Sequence, residues 1–194
     1  MYRKCIKRLL DFVISLLGII ILSPILIIIA LLIRLTSKGP AFFLQERLGK
    51  NGKVFRIIKF RTMVVNAEHI GSGLKINSEE DNRITKVGKV LRKTSLDELP
   101  QLINAIKGDM SIVGPRPPVT YFPHEYKDYT DEQKKRFEVR PGITGLAQVK
   151  VRNSATWDER INIDIEYVKK VTFIGDVKII LKTVGQVLKK ENIY

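Results

Sequence analysis

The longest hydrophobic pattern in the chain runs from Phe12 to Ile33, 22 residues without a charged side chain. A straight helix of that length measures roughly 33 Å, enough to cross a hydrocarbon core of about 30 Å. The run is too long for the apolar part of a cleaved signal peptide and no A-x-A-like site follows it, so it is expected to stay in the mature protein. In its middle the stretch IIILSPILIII holds Ser23 and Pro24. Pro24 has no N–H for the Ile20 carbonyl and its ring crowds that oxygen, so a bend or break is predicted there, with the Ser23 hydroxyl bonding back to the Ile19 carbonyl. A kinked single span is one reading. The flanks favour another: Arg3, Lys4, Lys7 and Arg8 precede the run and Arg34, Lys38, Arg47 and Lys50 follow it, so both ends look cytoplasmic. The expectation is a re-entrant helix–break–helix over residues 1–38, turning at Ser23-Pro24, with residues 39–194 forming a domain at the cytosolic membrane surface.

Beyond Ile33 the pattern shortens. Phe42 to Leu48 and Val54 to Phe60 flank Gly49-Lys50-Asn51-Gly52, whose Asn-Gly pair suits a tight turn, and this predicts a β-hairpin. Ile84 to Leu91 fits a short helix. Leu96, Leu99, Leu102, Ile103 and Ile106 share one helical face, Trp157, Ile161, Ile165 and Val168 another, and Val177, Ile180, Leu181, Val184 and Leu188 a third. Lys178, Lys182, Lys189 and Lys190 on that last helix read as its solvated side, with lipid headgroups as the alternative. The fold class is α/β, helix-dominated, with a small hairpin and a membrane-associated N-terminus.

Composition narrows the partners. With 34 basic against 20 acidic residues the net charge is +14, which suits anionic partners: nucleic acid, an anionic membrane or phosphorylated small molecules. One cysteine, Cys5, and two histidines, His69 and His124, exclude an intramolecular disulfide and a Cys/His metal cluster. The segment from Gly71 to Asn82 reads as loose.

Candidate chemistry lies in LRKTSLDELPQ, which sets Asp97 and Glu98 side by side near a helix start. A capping box with Ser95 as N-cap and Glu98 three residues on explains both acids without catalysis. It leaves Pro100 inside the helix, unless the regular helix begins at that proline. At such a terminus a carboxylate stays ionised, and Arg92 and Lys93 would draw phosphate towards it. Arg116, between Pro115 and Pro117, displays a guanidinium on a backbone with little freedom to lose, suited to bidentate phosphate recognition. RPGITGLAQVKVRN adds Arg140, Arg152 and the glycines 142 and 145, which would let backbone N–H groups approach an anion. KFRTM adds Lys59 and Arg61. Each segment also reads as an ordinary loop or strand end, and together they suggest an anion site.

KFRTM, LRKTSLDELPQLINAIKGDMSIVGPRP and RPGITGLAQV, in this order and with the Ser23-Pro24 pair ahead of them, make the chain resemble the bacterial sugar transferase family, the small monotopic phosphoglycosyl transferases. The resemblance implies an enzyme that moves a sugar 1-phosphate from a UDP-sugar to undecaprenyl or another polyprenol phosphate, releases UMP, requires Mg2+ and works on the cytoplasmic face of the bacterial inner membrane. It implies Asp97 as nucleophile, with Glu98 assisting, both near the metal, and Lys59, Arg92, Arg116 and Arg152 at the phosphates. Leu146 stands where many members have tryptophan, and Val151 where many have glycine, which affects the placement of Arg152. The donor and acceptor, together with anionic lipids, are the expected partners; oligomerisation is left open. A basic, membrane-anchored scaffold shares the charge and the anchor. It has no use for Asp97-Glu98 beside Arg92, and no nucleic-acid motif appears.

Overall fold

In the computed structural model, which describes residues 2–71, 73, 81–151 and 155–189, the apolar run is part of one helix, α1, Lys7–Thr36. It follows a π-helical turn, Tyr2–Ile6. Helical structure continues through Pro24 without interruption, so the expected break in the helix is not seen. The freed backbone is served locally: the Ser23 hydroxyl donates to the Ile20 carbonyl at 2.8 Å, the carbonyl Pro24 cannot reach, and not to that of Ile19.

α1 is 30 residues long, about 45 Å if straight, yet both its ends rest on the same domain. Its buried positions, Asp11, Ser15, Ile29 and Ile33, lie on one stripe, and Gly18 between them faces Leu102. The other sides stay apolar and exposed, among them Leu17, Ile20, Ile21, Ile27, Ile28 and Leu31. At the N-terminal end Arg8 donates to the carbonyls of Ala105 and Ile106 at 2.6 and 2.8 Å. The buried Asp11 carboxylate accepts from the Ser111 hydroxyl at 2.6 Å and the Ile112 N–H at 3.1 Å, and Lys7 pairs with Asp176 at 2.6 Å. At the other end the Arg61 guanidinium donates to the carbonyls of Ser37, Lys38 and Pro40.

The hairpin forms as its turn chemistry predicts. β1, Phe42–Leu48, pairs antiparallel with β2, Val54–Phe60, in full register from Phe42 opposite Phe60 to Leu48 opposite Val54, and Asn51 takes the positive φ of 54°. Next come α2, Lys86–Lys93; α3, Gln101–Lys107; β3, Ser111–Val113; the single turn α4, Asp131–Lys134; β4, Gly142–Thr144; α5, Leu146–Lys150; α6, Trp157–Lys169; and α7, Phe173–Leu188. β3 and β4 pair in parallel. The described residues are helix-dominated, with two small sheets among them. α6 buries Ile161, Ile165 and Val168 as its spacing predicts, and Thr156 caps it with a complete capping box.

α7 is turned from the expected face. Asp176 and Ile179 go inward, while Val177, Leu181, Val184 and Leu188 are exposed. The cause is Asp176, whose carboxylate accepts from the Tyr2 and Tyr167 hydroxyls at 2.6 and 2.8 Å besides pairing with Lys7. A buried carboxylate with three partners sets the rotation of the helix, because an unpartnered one costs several kcal/mol.

Candidate active site

The segment Leu96–Glu98 is a 3-10 turn, and α3 starts only after Pro100. The proline therefore sits where a missing N–H costs nothing. Ser95 has φ 54° and its side chain caps nothing, so the expected capping box is absent. The reason is tertiary. Glu98 turns away from the helix end and accepts from Lys59 Nζ at 2.6 Å, and from Arg116 Nη1 and Nη2 at 3.4 and 3.3 Å, all on Oε1. Leu96 packs against the buried cluster of Ile29 and Ile33 of α1, Phe60 and Leu91. The Asp-Glu pair thus follows a residue packed on a cluster that α1 and the end of the hairpin share.

Asn104 holds that arrangement. Its side chain accepts from the Ile58 N–H at 3.0 Å and donates to the Arg56 carbonyl at 2.8 Å, tying α3 to β2 one residue from Lys59. Arg92, on α2, donates from Nε to the Thr62 hydroxyl at 2.9 Å and lies within electrostatic reach of Asp97.

The two carboxylates are electrostatically unequal. Burial alone would raise Glu98, but Lys59 and Arg116 outweigh it and hold its pKa down at about 2. Asp97 is raised to about 6, first by burial and then by the charge of Glu98, against the lowering pull of Lys59, Arg92 and Arg116. Glu98 is the fixed anion that anchors the cations. Asp97 accepts no hydrogen bond among the described residues. A carboxylate raised to about 6 remains mostly ionised at pH 7 and is the more basic of the two.

Arg116 is presented on a fully pinned backbone. Three of the four residues from Pro115 to Pro118 lack an N–H, yet all four carbonyls are engaged, each by a different donor. Pro115 O accepts from Gly142 N at 2.9 Å, Arg116 O from Arg136 Nη2 at 3.0 Å, Pro117 O from Arg47 Nη1 at 2.9 Å, and Pro118 O from Leu48 N at 3.0 Å. Arg136 is itself buried, and the same Nη2 donates to Asp164 of α6 at 2.6 Å. A guanidinium on so constrained a segment loses little entropy when it binds an anion.

The structure therefore brings Lys59, Glu98 and Arg116 into contact, with Asp97 and Arg92 beside them. Arg152 and Lys190 lie outside the described residues, as does most of the loose segment, 72 and 74–80. Three expectations change. Arg61 secures the end of α1. Arg140 donates to the Gly108 carbonyl at 2.8 Å, closing the end of α3. Gly142 and Gly145 serve backbone packing: a Cβ on Gly142 would sit 2.0 Å from Gly114 N, and one on Gly145 2.1 Å from Gly114 O, so their smallness lets the chain segments approach. Arg47, Asn104, Arg136 and Asp164 support the site without a sequence motif to announce them. The only hint was type: polar residues at positions where helical or strand periodicity points inward.

Among the described residues no cluster of three or more His, Cys, Asp or Glu side chains is assembled. Glu98 Oε1 is occupied by its cations, so Asp97 and Glu98 Oε2 are the oxygens on offer. That sparse donor set fits Mg2+, which binds through one or two carboxylates together with substrate phosphates.

The sequence model of the bacterial sugar transferase family matches residues 2–190. Galactosyl transferase CpsE of Streptococcus agalactiae is 45% identical over 192 residues, covering 94% of this chain and 42% of that protein. The UDP-glucose:undecaprenyl-phosphate glucose-1-phosphate transferase of Caulobacter vibrioides is 42% identical, covering 97% of this chain and 72% of its own length. Undecaprenyl-phosphate galactose phosphotransferase of Salmonella typhimurium is 40% identical, covering 98% and 42%. The chain thus spans about two-fifths of the length of the first and third of these relatives.

Proposed function

Since the chain belongs to the bacterial sugar transferase family, we propose that it is a phosphoglycosyl transferase moving a sugar 1-phosphate from a UDP-sugar to undecaprenyl phosphate. The observation that carries the reading is the division of labour at residues 97 and 98: an open carboxylate of raised pKa beside one committed to Lys59 and Arg116. An Asp97 oxygen attacks the phosphorus that bears the sugar. An O–P bond forms, the P–O bond to UMP breaks, and UMP leaves with the electron pair. A phosphate oxygen of the polyprenol phosphate then attacks the same phosphorus, the acyl–phosphate bond breaks, and the Asp97 carboxylate is restored. Two displacements through one nucleophile suit a donor arriving from water and an acceptor arriving from lipid. Lys59, Arg92 and Arg116 neutralise the diphosphate that an anionic nucleophile must approach, and Arg152 is assigned to the same task. Mg2+ held by Asp97 and Glu98 together with the phosphates would supply further charge neutralisation.

The membrane placement follows from α1. The hold on both of its ends supports our reading that α1 enters and leaves on the same side, with its exposed apolar faces in the cytoplasmic leaflet of the inner membrane. The outward apolar face of α7, flanked by the exposed Lys178, Lys182 and Lys189, rests on anionic lipid beside it.

The test is UMP release and lipid labelling from a panel of UDP-sugars with Mg2+ and undecaprenyl phosphate. Asp97→Asn is expected to abolish both, together with sugar-phosphate labelling of the protein. Wild-type labelling by that variant would remove Asp97 from the nucleophile role, and no release with any donor would return the chain to a scaffold.

A further inference from the structure

The N-terminal half of α6 carries a cation and aromatic surface that the chemistry at Asp97 does not use. Asp164, Arg160 and Trp157 share one stripe of that helix, four and three residues apart. Its inner end is tied to the site, because Arg136 Nη2 donates to the Asp164 carboxylate at 2.6 Å and to the Arg116 carbonyl at 3.0 Å. Its outer end, about 10 Å along the axis from Asp164, is Trp157. Arg160 stands between the two, its guanidinium over the indole at 5.5 Å from the ring centroid. Burial, and after it the charge of Arg116, lower the pKa of Arg160 against the pull of Asp164, so the two guanidiniums are within reach of one another. The Arg160 Nε is buried and has no hydrogen-bond partner among the described residues. Beyond it the Phe122 ring meets the indole edge to face at 5.8 Å, and both Phe122 and its neighbour Tyr121 are exposed.

The groups thus run in order from the Asp-Glu pair through Arg116 and Arg160 to a shelf of aromatic rings. A nucleotide runs in the same order, from phosphate through ribose to a flat base, and a base stacks on an aromatic face without needing a matched hydrogen bond. We infer that the Phe122–Trp157 shelf seats the base of the nucleotide donor, with Arg160 at the phosphate that bears the ribose, so that the leaving nucleotide is held at both ends. The inference rests on the reading that Asp97 attacks a nucleoside diphosphate sugar. The donor's sugar is the other ring that an aromatic face would accept. The second cation favours the nucleoside, because Arg160 separates the shelf from Arg116 and extends the cationic track past the attacked phosphorus.

Trp157 is the single tryptophan of the chain, so its fluorescence reports on the shelf alone. The full chain in phosphatidylcholine–phosphatidylglycerol nanodiscs is titrated with UMP, which has the base and phosphate and no transferred sugar, and binding is measured in parallel by calorimetry. UMP should quench the emission saturably, and Phe122→Leu, which keeps an apolar side chain at an exposed position and removes the ring, should raise the UMP Kd roughly five- to hundredfold, the loss of one stacking contact. Ribose 5-phosphate, which has no base, should bind more weakly and leave the emission unmoved. Arg160→Met should weaken both ligands, since both carry the phosphate. A quench of equal size by ribose 5-phosphate, or a UMP Kd unchanged by either substitution, would overturn the assignment. UMP that binds calorimetrically with silent fluorescence and no effect of Phe122→Leu sinks the shelf and leaves the reaction standing. UMP that does not bind at all sinks both.

Discussion

Replacing Asn104 with leucine tests whether one buried amide joins the two halves of the site. Asn104 is 1% exposed, and its side chain satisfies the Ile58 N–H and the Arg56 carbonyl. Leucine is close in volume, so the change opens little cavity, but it leaves a strand donor and a strand acceptor facing an apolar side chain. Each such group costs about 1–3 kcal/mol, giving about 3 kcal/mol for the pair once partial access of water to Arg56 is allowed for. In a chain of 194 residues that lowers the thermal midpoint by roughly 6–12 °C. The assay is thermal unfolding of the purified protein in detergent, followed by circular dichroism, with UMP release measured well below the variant's midpoint. Catalysis should fall further than the folded fraction does, because the 2.6 Å contact of Lys59 with Glu98 depends on the register of α3 against β2. A midpoint lowered by less than about 2 °C, or activity that merely follows the folded fraction, would refute the reasoning.

The remaining predictions concern charge and presentation. Lys59→Met removes a cation that lowers both carboxylates, so the acid limb of donor kcat/KM against pH, set by Asp97 near 6, should move to higher pH; the limb reports protonation of the nucleophile, and an unchanged or lowered limb would contradict the assignment. Arg136→Met combined with Asp164→Leu removes a buried ion pair without leaving a lone charge, so the protein should still fold. It should nevertheless lose roughly tenfold or more in donor kcat/KM by loosening Arg116, and the loss should largely vanish in an Arg116→Ala background; equal losses in both backgrounds would mean the pair does not act through Arg116.

Much of the site was legible from residue types. Asp97, Glu98, Lys59 and Arg116 were each picked out, and three of the four are in direct contact. Their roles were not legible. A capping box at Ser95 was the local reading of Glu98, and it failed because Lys59 and Arg116, 39 and 18 residues away in sequence, offer a buried carboxylate more than a helix N–H does. The outward face of α7 failed in the same way, since counting apolar positions cannot weigh Asp176 against four aliphatic side chains. The glycines at 142 and 145 resembled an anion cradle because glycine permits close approach of any backbone, and only the position of Gly114 identifies which backbone approaches.

The sequence by itself determined the features that short-range physics dictates. The hairpin limits follow from alternation and an Asn-Gly turn, the inward face of α6 from a 3.6-residue period and a Thr-Glu cap, and the length of the apolar run from the absence of charge. Tertiary structure decided which of the chain's 34 basic residues meets which carboxylate, and where each end of α1 is held. Those choices depend on desolvation, whose cost is defined only once a side chain's surroundings exist. Asp97 and Glu98 are neighbours in sequence, and only the folded surroundings hold the pKa of Glu98 down and push that of Asp97 up.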